Sequence, residues 1–471
     1  MKKKFTWSAL ALTLGLGLAG CKDALDIEPQ QSIDATTAYD TSQKVGAAVV
    51  GAYARLDDPS LYGTDLILVP ELLASNGYIT WAGSFANYRQ ISAHTQISTL
   101  SNAQTIWTQA YNAINQCNLI LNNLSVVTDA GQRSQYEGEA HYIRGLMYFE
   151  LVRLYAQQYQ AGGNNTQAGV PINLVPVVNT EQADVKLPRA SVEAVYTQVL
   201  TDLRAAVSLL PIQNVTRASK YSAEAILARV YLQQGNYTMA RSMANDVIVN
   251  SGAQLAGTVA AVFANRNSAE SLFEIQQNDQ NNAGTSNSGL ATFFAGYSPT
   301  GDQSVLYGRG DVYIQKGFVA QYGSTDVRGT DNQPALTTQR LIYVSDGNSK
   351  TGVYRTVKWR TYGQNIPVAR LAEMYLTRAE ADVRSGATTS ALADINRLRN
   401  RSGATPLTTI SLNAVLLERQ LELAFEGFRI HDLKRTGRPV GTLASNSPTL
   451  VLPIPQREIN NNSLLTQNPG Y

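Results

Sequence analysis

The sequence predicts a mainly α-helical protein, a tetratricopeptide-like scaffold of paired helices carrying a large irregular, loop-rich insertion with a few short strands. Three observations lead there. Between Ala369 and Gly403, Leu371, Ala372, Tyr375, Leu376, Ala379 and Val383 stripe one helix, and Ala391, Leu392, Ile395 and Leu398 stripe a second. Gly386 separates them, and glycine readily takes the left-handed backbone that ends a helix. Tyr221 to Asn250 reads the same way about Gly235, so that Ala228, Gly235, Ala240, Ala244 and Val247 fall opposite Ala379, Gly386, Ala391, Ile395 and Leu398 without a gap. Small residues at helix crossings and a glycine turn are the pattern of repeats that bury their faces only against neighbours, although spacing of this kind is open to any pair of amphipathic hairpins. Between the hairpins, residues 251–367 change texture, rich in Gly, Asn, Tyr and Thr, with strand-like pieces at Ser271–Gln276, Leu341–Val344 and Tyr354–Arg360.

The chain opens with three lysines, an apolar run from Phe5 to Leu18 and small residues, a secretory signal over residues 1–20. The run is about 14 residues against the roughly 20 of a membrane-spanning helix. It closes on Leu18-Ala19-Gly20-Cys21, the sequence at which bacterial lipoproteins are cut and acylated, so Cys21 is the expected lipid attachment and 21–36 a tether containing Pro29. Cys117 then reads as a small buried apolar residue. Residues 37–250 form the first helical part, with helices expected over Thr37–Leu56, Ala103–Leu124, Arg133–Tyr159 and, capped by Ser191, down to Pro211. Within it Pro59 to Thr99 reads as a long non-helical loop rich in aromatics, among them Tyr62, Tyr78, Trp81, Phe85 and Tyr88. Residues 368–471 carry the second hairpin, one further helix over about Ser411–Arg435 and an irregular tail, and they complete a single scaffold with 37–250.

Charge excludes some functions. Only 16% of residues are charged, and removing Lys2, Lys3 and Lys4 takes the formal charge from +2 to −1, which leaves no electrostatic footprint for nucleic acid. His94, His141 and His431 lack metal-ligand spacing, no cofactor motif is present, and Glu418, Arg419, Glu422, Glu426, Arg429, Asp432, Lys434 and Arg435 read as a salt-bridge network rather than a catalytic set. Glu270 and Glu274 read as a buried strand with solvated ends, not as a glycosidase pair. The chain is therefore expected not to be an enzyme.

Leu25-Asp26, the helix AHYIRGLMYFELVRLY from Ala140, RLAEMYLTRAE from Arg370, ERQLELAFEGFRIHDLKR from Glu418, Pro453-Ile454-Pro455 and the terminal Gln467 to Tyr471 occur in one order. On these motifs the chain resembles the SusD/RagB family of outer-membrane nutrient-binding lipoproteins. The resemblance implies a right-handed helical scaffold, attachment through Cys21 to the outer membrane facing the exterior, and capture of glycans, or of peptides in some members, for a SusC-like TonB-dependent transporter barrel. It carries no contact residue across. A sugar offers C–H faces edged by hydroxyls, so exposed aromatics beside amide or guanidinium donors are the candidates: Trp81 first, with Asn76, Tyr78, Tyr88 and Arg89, then Phe293, Phe294, Tyr297, Tyr307 and Tyr313 of the insertion. Trp107 and Trp359 read as structural. Peptide capture and a plain interaction scaffold are the alternatives.

Overall fold

The computed structural model describes residues 38–264, 266–296, 308–334, 338–345 and 352–471; the signal, Cys21, the tether, Tyr297 and Tyr307 lie outside them. Eight long helices build the scaffold: α1 (Ser42–Leu56), then, after a short α2 (Asp65–Leu73) and α3 (Ala86–Ala93), α4 (Ser101–Asn122), α5 (Ala130–Tyr155), α6 (Val192–Leu209), α7 (Lys220–Gln233), α8 (Tyr237–Asn250), α9 (Leu371–Arg384) and α10 (Thr388–Arg401). Each packs on its predecessor along the row, and α8 of the first hairpin packs on α9 of the second across the 120-residue gap between them. The two hairpins have identical bounds under a shift of 151 residues, and their turns sit on Gly235 (φ 72°) and Gly386 (φ 85°). Ala228, Ala240, Ala244, Val247, Ala379, Ala391, Ile395 and Leu398 are all fully buried. At these crossings methyl-sized side chains let neighbouring helices approach, so the small-residue stripe marks the packing seam.

The irregular region folds over one side as two small sheets. In the first, β1 (Ile79–Trp81), β3 (Val312–Ile314), β5 (Tyr354–Thr356) and β4 (Ile342–Val344) pair antiparallel in the order β1-β3-β5-β4; in the second, β2 (Ser271–Ile275) pairs with β6 (Ile366–Arg370), the strand that runs straight into α9. The insertion is thus stitched to both halves of the chain.

Two expectations are corrected. Pro59 to Thr99 is not a loop: it contains α2, β1 and α3, and α2 tolerates Pro70 within it. The helix expected over Ser411–Arg435 is broken into α11 (Leu412–Glu422) and α12 (Arg429–Arg435). At the break Phe425 and Gly427 take φ of 68° and 82°, and the groups freed from helical pairing are used elsewhere. Lys358 Nζ donates to the carbonyls of Glu422 and Ala424, Trp359 Nε1 to that of Phe425, and the Phe425 and Gly427 amides donate to Tyr78 Oη and Glu71 Oε1. Partners from distant segments outbid a continuous helix.

Under this break lies a buried ion-pair layer. Arg370 donates to Glu270, Glu422 and Glu426, Arg328 to Asp326, Glu418 and Glu422, and Arg401 to Glu270 and Glu422. Neighbouring Arg401, Arg370 and Arg328 hold the Glu422 carboxyl well below the usual range against the opposing effect of burial. The charged motif is therefore structural, as expected. Glu270 and Glu274 differ from expectation in one respect, since both are buried rather than solvated, Glu270 by the arginines and Glu274 by Asn267, Ser271 and Asn365. Cys117, Trp107 and Trp359 are core residues.

Candidate functional site

The aromatic residues of β1 and α3 converge with the insertion on one cluster. Trp81 ends β1, Tyr88 lies on α3, and Phe293 belongs to a helical turn, Leu290–Phe294. The Trp81 ring centroid is 4.8 Å from that of Tyr88 and 5.3 Å from that of Phe293, and Phe85 closes the group edge-on to Tyr88 and Phe293 at 6.2 and 6.1 Å. Such tilted and edge-on contacts are the favoured aromatic geometries. Asp65 anchors the underside, accepting from Tyr88 Oη at 2.8 Å and Asn102 Nδ2 at 2.7 Å; burial pushes its carboxyl up to about 6 against the effect of these donors. Gly83 admits the close approach of backbone, Trp81 and Asp311, since a Cβ there would stand 2.6 Å from both side chains.

The cluster corrects the expectation of an open stacking platform at Trp81. Trp81 is 6% exposed and Tyr88 7%, while Tyr78, Phe293 and Phe294 are buried outright. Their partners explain this: Tyr78 stacks on Phe425 at 5.3 Å beneath the Arg429 guanidinium, and Phe294 also faces Phe425, so both belong to the core at the helix break. Asn76 is exposed and lies against Gly441 in the C-terminal part. Tyr313 lies on β3 with the Arg355 guanidinium 5.1 Å from its ring.

What reaches solvent at the cluster is Phe85, 36% exposed, with Arg309 4.7 Å over its ring and also donating to Ser84 Oγ. Arg89, exposed, donates to the Gly83 carbonyl, and Trp81 Nε1 is buried without a hydrogen-bond partner among the described residues. The geometry therefore supplies a partly exposed aromatic ring with the Arg309 guanidinium, itself paired to Asp311 at 2.9 Å, over it and an aromatic floor behind it, and Arg89 tied to the neighbouring Gly83 carbonyl. Phe85 and Arg309 were missed as candidates; the run Gly83-Ser84-Phe85-Ala86, an aromatic just before an N-terminally uncapped helix, was the available signal for Phe85, and nothing local marks Arg309.

Comparison with known proteins places the chain. A family model described as SusD-like, starch-binding and associating with the outer membrane matches residues 23–232, and one described as the SusD family matches residues 223–444. Between them these cover most of the chain, which belongs to the SusD/RagB family. It is 26% identical to SusD-like protein P2 of Formosa agariphila over the full length of both, and a 142-residue stretch is 35% identical to the starch-binding protein SusD of Bacteroides thetaiotaomicron, about a quarter of each chain. Among solved structures, a laminarin-binding SusD-like protein matches at 25% identity with a TM-score of 0.76, covering 92% of this chain and all of that one. A further solved structure, from Bacteroides vulgatus, has a TM-score of 0.78 at 24% identity and covers 92% of this chain and all of that one, which shows the shared fold.

Proposed function

We propose that the chain is a surface lipoprotein that binds oligosaccharides at the Phe85 rim and passes them to a TonB-dependent transporter barrel in the same outer membrane. The observation that carries this reading is the aromatic cluster of Trp81, Phe85, Tyr88 and Phe293, of which Phe85 is exposed, with Arg309 over its ring and Arg89 on the neighbouring Gly83 carbonyl. An aromatic edge takes the C–H face of a pyranose, and guanidinium groups donate to its hydroxyls. The relatives' starch and laminarin binding agrees with this chemistry. Anchoring rests on Cys21 at the end of the signal; among the described residues no helix is long and apolar enough to cross a membrane. Hand-over requires release, so affinity is expected between about −4 and −8 kcal/mol, millimolar to micromolar.

The test is calorimetry of the chain lacking residues 1–21 against laminarin and starch oligosaccharides and a peptide pool. Phe85→Ala is expected to weaken saccharide binding about tenfold, roughly 1.4 kcal/mol. Trp81→Phe, which keeps the floor apolar but removes the unpaired indole N–H, is expected to change affinity less. Peptide binding without any saccharide signal overturns the proposal.

A further inference from the structure

A groove of about 460 Å³ lies apart from the aromatic cluster, between the end of α1, the middle of α4 and residues 281–286 of the insertion. Its walls are apolar and polar in about equal part and contain no aromatic ring; the polar side chains include Asp57 and Asp58, Gln109 and Gln116, Asn281, and Arg55 at an exposed position. Asp57 is the unusual member. The residue is 7% exposed, stands at the C-terminal end of α1 where the helix dipole is already negative, and has Asp58 beside it. It has no ion pair among the described residues; one amide, Gln277 Nε2, donates to Oδ1 at 2.5 Å, and Oδ2 is not sealed from the groove. Burial, with Asp58 adding to it, pushes the carboxyl up to about 6 against the effect of the Gln277 donor. The buried acids Glu373, Glu422 and Asp202 each face arginine, whereas Asp65 and Glu274, like Asp57, are held by neutral donors.

We infer that this groove is a second saccharide-binding site, in which Asp57 accepts from sugar hydroxyls and Gln109, Gln116, Asn281 and Arg55 bond the rest of the ring edge without stacking. The inference rests on the saccharide reading above and adds a site to it. Its chemistry is complementary to that of the Phe85 rim: sugar hydroxyls donate to the carboxylate oxygen that faces the groove, and amides serve as both donors and acceptors. Residues 281–294 border both places, since Asn281 to Ser286 line the groove and Phe293 belongs to the cluster, so one long chain could engage both.

The test is calorimetry with laminarin and malto-oligosaccharides of two to eight units on the wild type, Asp57→Asn, Gln109→Ala and Phe85→Ala, with melting curves to establish folding. Asp57→Asn keeps an acceptor for Gln277 and so preserves the tie between α1 and the insertion. It is expected to lower affinity for the longer oligosaccharides at least fivefold, or to reduce two sites per chain to one, and Gln109→Ala is expected to act in the same direction. The residual binding of Phe85→Ala is expected to vanish when Asp57→Asn is added. Unchanged affinity and stoichiometry in both groove variants, with Phe85→Ala still impaired, overturns the second site and leaves the proposed function standing. Absence of saccharide binding by the wild type overturns both.

Discussion

The two helical hairpins share one backbone and differ in how their first residue is used. In the first, Ser219 caps α7 and forms a reciprocal capping box with Ser222. The position 151 residues later is Arg370, which caps nothing; its guanidinium instead enters the buried layer of Glu270, Glu422 and Glu426. The residue matching Ser222 is Glu373, paired to Arg229 of the first hairpin. A local hydrogen bond thus starts one hairpin, and a long-range ion network anchors the start of the other. The same fold unit can be completed by its own sequence or by the rest of the molecule, and the second choice ties the insertion and the C-terminal helices to the scaffold.

Breaking the network is expected to have the largest effect. Arg370→Ala leaves three buried carboxylates short of a partner and should cost about 3–5 kcal/mol in chemical denaturation. A loss below about 1 kcal/mol would show that the network contributes little beyond packing.

Next is pH, where the hairpins carry opposite signs. Arg435 holds the Glu380 carboxyl on α9 below its ordinary range against burial, whereas burial and Asp246 push Glu224 on α7 up to about 7. A depressed carboxyl contributes stability above its unfolded pKa that disappears as pH falls through the folded value; a raised one does the reverse, favouring the fold at low pH and losing that contribution as pH rises through about 7. Glu380→Gln should therefore destabilise at pH 7 and much less at pH 3. Glu224→Gln should stabilise at pH 8, by up to roughly 3 kcal/mol, and not at pH 4. Denaturant midpoints across pH would read both, and equal signs would contradict the contrast.

The turns give a smaller contrast. Both glycines have positive φ, so alanine costs about 1–2 kcal/mol at each. At Gly386 the added methyl meets nothing within 4 Å, whereas at Gly235 it would stand 2.8 Å from Ala161 Cβ. Gly235→Ala should lower the melting temperature more than Gly386→Ala. Smallest of all, Ser219→Ala is expected to cost about 1 kcal/mol, the usual worth of an N-cap.

Much of this architecture was legible in the residues. Ala228 and Ala379, Ala240 and Ala391, and the two turn glycines mark both hairpins because helix packing is periodic and local, and the structure reproduces their offset without slippage. Ser191 and Pro211 likewise bracket α6 closely. The candidate site was less legible. Trp81, Tyr78 and Phe294 have the composition of ligand-facing aromatics, but Phe293 and Phe425, more than 200 and more than 340 residues from Trp81 and Tyr78, cover them. Arg309 became visible only when β3 paired with β1 and brought it over Phe85.

By itself the sequence determined the helical repeat, the positions of its turns and the family to which the chain belongs, because each follows from periodic burial, glycine backbone freedom or contiguous motifs. Only the tertiary structure decided which aromatics face solvent, where the last long helix breaks, and that Asp57 sits buried without a cation. Those outcomes depend on partners supplied from distant segments: an aromatic ring is exposed or hidden, and a carboxylate is satisfied or not, according to what packs against it.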